Sequence, residues 1–228
     1  MVYELRPYKT VDDWTEENGL GVIVWETDEI TDESNLRICG KLVSYLGFET
    51  QEEFRVPDGI ESIGYSAFIK GEWEAWDCPF KKVIIPASVK KIEEGAFVDT
   101  WIAEFDIHPE SKCAKVMNNG LYTYNGDTLL WIIDANGEED STSVWVTEDD
   151  SEDEDNDDIY FEYTVPDGVK RIGVGCIPQD GIEMLTLPES VTEIGWDEYG
   201  LKGLIIKAPA NSYAIKFAKE HDIEYVEI

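Results

Sequence analysis

The side chains able to do chemistry are few in kind. The two histidines, His108 and His221, are distant in the chain and neither belongs to a His-Glu-x-x-His pair, so a zinc hydrolase has no ligand set. There is no G-x-S-x-G elbow, no phosphate-cradling glycine loop and no dinucleotide fingerprint. The four cysteines, Cys39, Cys78, Cys113 and Cys176, are scattered without Cys-x-x-Cys spacing, which suits buried thiols better than a disulfide framework. Acids are so abundant, 50 Asp and Glu in 228 residues, that neighbouring carboxylates are inevitable and signal no acid–base pair. The reading is a chain that is not an enzyme and needs no cofactor.

Two groups keep a binding interpretation. Asp153, Asp155 and Asp157 have the first three ligand spacings of a calcium loop. However, Asp158 stands where the sharp turn needs glycine, and Thr164 where the bidentate glutamate belongs. With nine acids in residues 148–158, the expectation is a solvated loop that is at most a weak calcium candidate, and no metal site is assigned. Trp73 and Trp76 fall in an expanded loop, where exposed indoles could anchor a partner or stack on sugar rings, or else fold back over the chain.

Charge narrows the partners. Eighteen Lys and Arg against those acids give −32 and a pI near 4.1. That field repels phosphate backbones and anionic lipid, so neither nucleic acid nor membrane is an expected partner. Its one positive use would be as an acidic decoy for a basic nucleic-acid-binding protein. No stretch reaches the ~20 apolar residues that cross a bilayer. The start, Met1 to Pro7, has no basic-then-apolar leader, which points to the cytoplasm unless the N-terminus is trimmed. With 43% apolar residues the chain can build a real core, and a monomer is expected.

A repeat organises that core. Val56-Pro-Asp-Gly-Ile60-Glu-Ser-Ile63 returns as Ile85-Pro-Ala-Ser-Val89-Lys-Lys-Ile92, as Val165-Pro-Asp-Gly-Val169-Lys-Arg-Ile172 and as Leu187-Pro-Glu-Ser-Val191-Thr-Glu-Ile194. Ala67-Phe68, Ala96-Phe97 and Cys176-Ile177 follow the first three. Pro57, Pro86, Pro109, Pro166, Pro188 and Pro209 lie 29, 23, 57, 22 and 21 residues apart, a unit of about 22 with two expansions. Pro109 and Pro209 are looser members. An alternating run such as Phe54-Arg-Val56 or Leu185-Thr-Leu187 precedes each proline and reads as a strand that the proline ends. One such unit cannot cover its own apolar face, so units must stack into a parallel-strand solenoid.

The words Val-Pro-Asp-Gly-Ile-x-x-Ile-Gly-x-x-Ala-Phe and Ile-Pro-x-Ser-Val-x-x-Ile-x-x-x-Ala-Phe resemble the BspA-type leucine-rich repeat of bacterial proteins. Ile38–Gly47 resembles that family's lead-in hairpin, Asn119–Leu130 its Gly-Val-Leu-Tyr insertion, and Ser212–Tyr225 its closure. The resemblance implies an α/β repeat fold with few helices, a role as protein-interaction scaffold, and a surface or secreted location.

The expected layout is a capping segment over 1–35 and a repeat domain over 36–228. Within the domain, a hairpin and acidic loop are inserted at about 118–159, and a helix and strand close it at about 211–228. Ser212 or Asn211 would cap that helix, burying Tyr213, Ala214, Phe217, Ala218 and His221 on one face. If Phe54, Val56, Val83, Val165, Leu185 and Leu187 point inward, alternation turns Glu53, Arg55, Lys82, Ile84, Glu104, Asp106, Glu162, Thr164, Met184, Thr186 and Ile205 outward. The candidate site for an unidentified protein ligand is this strand face, through Arg55, Lys82, Ile84, Glu104, Asp106, Thr164, Met184 and Thr186. The rival is carbohydrate binding through Trp73 and Trp76.

Overall fold

A computed structural model describes the backbone of residues 4–7, 22–26 and 40–46. It describes backbone and side chains of 53–68, 81–98, 100, 102–133, 162–178, 182–195, 201 and 203–228. Cys39, Cys78, Trp73, Trp76 and the aspartates 153, 155 and 157 lie outside the described residues.

β1 (Glu4–Pro7) runs parallel to β2 (Val22–Glu26), and β2 pairs antiparallel with β3 (Gly40–Leu46). The stretch resembling a lead-in hairpin is therefore one seven-residue strand whose antiparallel partner lies upstream.

Each repeat unit then contributes two short strands on either side of its proline turn. The first unit gives β4 (Glu53–Arg55) and β5 (Ile60–Ile63), the second β6 (Lys82–Ile85) and β7 (Lys91–Ile92), the third β8 (Glu104–Ile107) and β9 (Ala114–Met117). Next come β10 (Gly120–Thr123) and β11 (Thr128–Ile132). The fourth unit gives β12 (Glu162–Thr164) and β13 (Arg171–Ile172), the fifth β14 (Met184–Thr186) and β15 (Glu193–Ile194). β16 (Ile205–Ala208), α1 (Tyr213–Glu220) and β17 (Glu224–Glu227) complete the order.

The pre-proline strands stack in parallel with no register slip, Phe54 on Val83 on Phe105 in β4-β6-β8, and Tyr163 on Leu185 on Ile206 on Tyr225 in β12-β14-β16-β17. The post-proline strands make ladders of their own, β5 on β7 and β11 on β13 on β15, also parallel. Both kinds of ladder are interrupted at the same place. The sheets are β1-β2-β3-β5-β7, β4-β6-β8, β15-β13-β11-β10-β9 and β12-β14-β16-β17, with no strand pairing among the described residues from β8 to β12 or from β7 to the hairpin. Among the described residues the outward strand residues therefore lie on two ladders.

The turns explain how successive units lock. In the first and fourth, Gly59 (φ 95°) and Gly168 (φ 91°) occupy the left-handed region that Asp-Gly makes accessible. The serine of the following Pro-x-Ser turn reaches back to them. Ser88 Oγ accepts from Gly59 N at 3.0 Å, and Ser190 Oγ accepts from Gly168 N at 3.0 Å while donating to Val169 O at 2.8 Å. Ser111 Oγ donates to Val89 O at 3.0 Å in the same way. Pro109-Glu110-Ser111 thus shares the serine-to-carbonyl half of this contact.

Buried side chains fall into two clusters. The first holds Phe54, Phe68, Phe97 and their aliphatic neighbours, the second Val165 through Ile223. Phe68 stacks on Phe97 at 5.4 Å between ring centroids, and Phe97 meets Phe105 at 4.9 Å and Trp131 at 6.4 Å. The third unit has no Ala-Phe pair, and the hairpin supplies Trp131 beside the phenylalanine column instead. Its indole Nε1 donates to Ile102 O at 2.9 Å, so the buried ring leaves no donor unpaired. The hairpin serves both clusters: Leu121, Leu130, Trp131 and Ile133 join the first, and Tyr122, Leu129 and Ile132 the second.

At the far end Ser212 caps α1, its Oγ accepting from Ile215 N at 3.3 Å. The helix buries Ala214, Ile215, Phe217 and Ala218. Tyr213, expected inside, is 38% exposed because the packed face is rotated towards Ile215.

Candidate functional site

Alternation sorts the pre-proline strands cleanly. Phe54, Val56, Val83, Leu185 and Leu187 are at most 1% exposed and Val165 is 2% exposed. Their neighbours along each strand are exposed or half-buried. Because the strands are parallel and in register, outward residues form rows across units.

On the β4-β6-β8 face one row is Glu53, Lys82, Glu104 and the next is Arg55, Ile84, Asp106. Lys82 Nζ lies 2.6 Å from Glu104 and 3.7 Å from Glu53. Its hydrogen bond to Glu104 raises the ammonium above the ordinary lysine value. That row is consumed internally. Arg55 and Asp106 have no ion pair among the described residues, and Ile84 lies half-buried between them.

On the β12-β14-β16-β17 face the rows are Glu162, Met184, Ile205, Glu224 and Thr164, Thr186, Lys207, Val226. Glu162 Oε1 accepts from Thr186 Oγ1 at 2.5 Å and from Lys207 Nζ at 3.2 Å. Lys207, Glu224 and Val226 belong to this face, and the sequence reasoning left them out. The alternation of Ile206-Lys207-Ala208 was the signal for Lys207, and that of the closing strand for the other two.

The structure therefore brings Arg55, Lys82, Ile84, Glu104 and Asp106 together on one sheet, and Thr164, Met184 and Thr186 on another. Among the described residues no shared ladder joins the two groups.

A cleft of about 560 Å³ opens at the interruption between β7 and the hairpin. One wall is Lys90–Glu94, another the hairpin turn from Thr123 to Thr128, and Lys112, Cys113 and Leu130 complete the lining. Its carboxylates are already engaged. Asp127 accepts from Thr123 Oγ1 at 2.9 Å, Thr128 Oγ1 at 3.2 Å and Asn125 Nδ2 at 2.7 Å. Desolvation opposes ionisation there, but these bonds, with Lys170 nearby, hold its carboxyl below the ordinary range. Glu94 accepts from Arg171 Nε at 2.6 Å, Arg171 Nη2 at 2.9 Å and Val174 N at 3.1 Å. The guanidinium chiefly keeps its carboxyl low. Burial pushes the Cys113 thiol up, so it is no ready nucleophile.

Among the described residues, no three His, Cys, Asp or Glu side chains gather as a metal site. No helix there is long and apolar enough to cross a membrane. Cys113 and Cys176 are buried and in no disulfide.

No protein-family model matches the chain, and no curated protein matches it. Solved bacterial structures are similar to it. A leucine-rich repeat protein from Eubacterium ventriosum is 18% identical over 70% of this chain and 42% of its own, with TM-score 0.45. The pneumococcal vaccine antigen PcpA is 17% identical over 68% and 41%, with TM-score 0.41. A leucine rich cell surface protein from Faecalibacterium prausnitzii is 19% identical over 68% and 40%, with TM-score 0.36. The chain spans about two fifths of the length of each. At those TM-scores the likenesses bear no functional weight; the chain's own registers and contacts do.

Proposed function

We propose that the chain is a leucine-rich-repeat-type solenoid acting as a non-enzymatic scaffold, and that a protein partner docks on its exposed pre-proline strand faces. The observation carrying this reading is the row Arg55, Ile84, Asp106. A cation, an aliphatic and an anion stand side by side on strands ~4.8 Å apart, neither charge having an ion pair among the described residues. An open sheet surface of this kind offers a partner both register and charge recognition. The neighbouring Glu53–Lys82–Glu104 row stiffens the face and is not the recognition element.

Affinity capture run separately on lysate and culture medium reads partner and compartment together. With a captured partner in hand, an Arg55→Glu, Ile84→Ser, Asp106→Lys variant should bind at least about tenfold more weakly, as loss of central charged contacts does. Its thermal unfolding should be near that of the parent. Undiminished binding by the folded variant would retire this face.

A further inference from the structure

The cleft between β7 and the hairpin combines engaged carboxylates with lysines from two units. Its carboxylates are engaged: Asp127 and Glu94 each take three hydrogen bonds from the protein itself, and Glu93 accepts from Tyr65 N at 3.2 Å. Two of its cations are held more loosely. Lys112 has no ion pair among the described residues, and Lys91, 69% exposed at its side chain, faces Glu93 at a loose 3.8 Å and lowers the Glu94 carboxyl only through its charge. Lys91 and Lys112 come from different units and line the same cleft. Ile92 and Leu130, both packed into the first core, and Tyr124, 51% exposed, line it with them.

A site with exposed cationic donors beside apolar side chains recognises an anion that carries an apolar body. A net charge of −32 disfavours any polyanion, leaving a single charge as the better fit. Planar carboxylates accept from two ammonium groups at once, and the cleft volume lies within the range of about 300–1,000 Å³ usual for small-ligand sites. We propose that this cleft binds a monocarboxylate bearing an adjacent apolar group, its carboxylate held by Lys91 and Lys112 and its body on Ile92 and Leu130. This site is separate from the strand faces and does not rest on their role. The same chemistry occurs in a small free acid and in the C-terminus of a peptide ending in an aliphatic residue.

The test uses the whole chain, ¹⁵N-labelled, at low salt, with N-acetyl-leucine, a pentapeptide ending in a free leucine carboxylate, and the same pentapeptide amidated. The amides of Lys90–Glu94 and Thr123–Thr128 should shift on adding either carboxylate at up to ~10 mM, and should not shift with the amidated peptide. Tighter binding of the pentapeptide by tenfold or more assigns the site to a chain terminus; equal binding assigns it to a small acid. A Lys91→Gln, Lys112→Gln variant, altered only at exposed side chains, should bind about tenfold more weakly. Silence of the cleft amides, equal binding of the amidated peptide, or unchanged affinity of the double variant would each overturn the proposal.

Discussion

Arg171→Met is the substitution whose consequences can be worked furthest. Arg171 belongs to the fourth unit and Glu94 to the second, yet they form a two-pronged ion pair, Nε to Oε1 at 2.6 Å and Nη2 to Oε2 at 2.9 Å. Their side chains are 27% and 29% exposed. Arg171 also pairs with Glu193, and Glu94 holds Val174 N. The clamp thus spans the place where the ladders stop. Replacing the guanidinium removes two charge-assisted bonds and leaves a half-buried carboxylate with one backbone donor. Such bonds contribute ~1.5–3 kcal/mol when shielded and less where solvent reaches them, so about 2 kcal/mol should be lost. Lys90→Met provides the reference, because it breaks the Lys90–Glu61 pair, 69% and 47% exposed, for less than ~1 kcal/mol.

Urea unfolding of both variants checks the difference. If the clamp couples the two cores, the Arg171 variant should also unfold over a broader transition with a lower m-value. Acidity adds a second reading. Glu94 is held low in the folded chain, so its contribution is complete above the ordinary glutamate value of about 4.3 and fades as pH falls through its depressed folded value. Parent and Glu94→Gln should therefore differ at pH 7 and converge in strong acid. An Arg171 variant no weaker than the Lys90 variant, with an unbroken single transition, would refute the reasoning.

Ser190→Ala removes both the acceptor for Gly168 N and the donor to Val169 O, and thermal unfolding should show a loss of about 1–2 kcal/mol. Tyr163→Phe strips the hydroxyl that bonds Asn118 O and Tyr122 Oη, each at 2.8 Å; with Tyr122 fully buried, denaturant titration should show a loss of about 1–3 kcal/mol. Burial pushes the Tyr122 phenol up to about 12, so its share of stability holds below the unfolded value near 10 and is lost as pH rises through the folded one. Absorbance titration should accordingly find this phenol ionising late, together with alkaline unfolding. Gly173→Ala would put a Cβ 2.6 Å from Leu129 O, prising the hairpin from the fourth unit at a cost of about 1–3 kcal/mol, which accelerated hydrogen exchange at Gly173 N should report.

The strand-then-proline words were legible because burial there obeys a strict period of two. Phe54, Val83 and Leu185 are large and apolar, while Arg55, Ile84 and Thr186 vary freely. Asn-Gly is the pair that favours a tight turn, and Gly126 holds φ 83° between β10 and β11. The post-proline ladders were not legible. β7 and β13 are two residues long, too short for alternation, and Lys91 and Arg171 disguise them. Nor could spacing show that Trp131 completes the phenylalanine column, or that serines in the Pro-x-Ser turns grip the unit before them, since both depend on contacts 21 to 29 residues apart. The outward residues Arg55, Ile84 and Asp106 followed directly from alternation. The cleft did not, because Lys91, Lys112 and Tyr124 meet only where the insertion interrupts the stack.

The two-sided hairpin has a consequence for how such a chain can change length. Leu121, Leu130 and Trp131 serve one core while Tyr122, Leu129 and Ile132 serve the other, so β10 and β11 work as an adaptor with a fixed socket on each side. Gaining or losing a unit elsewhere in either half leaves both sockets filled as before. A duplication that copied the adaptor itself would create a third core needing its own lining, and such a chain would have to invent one.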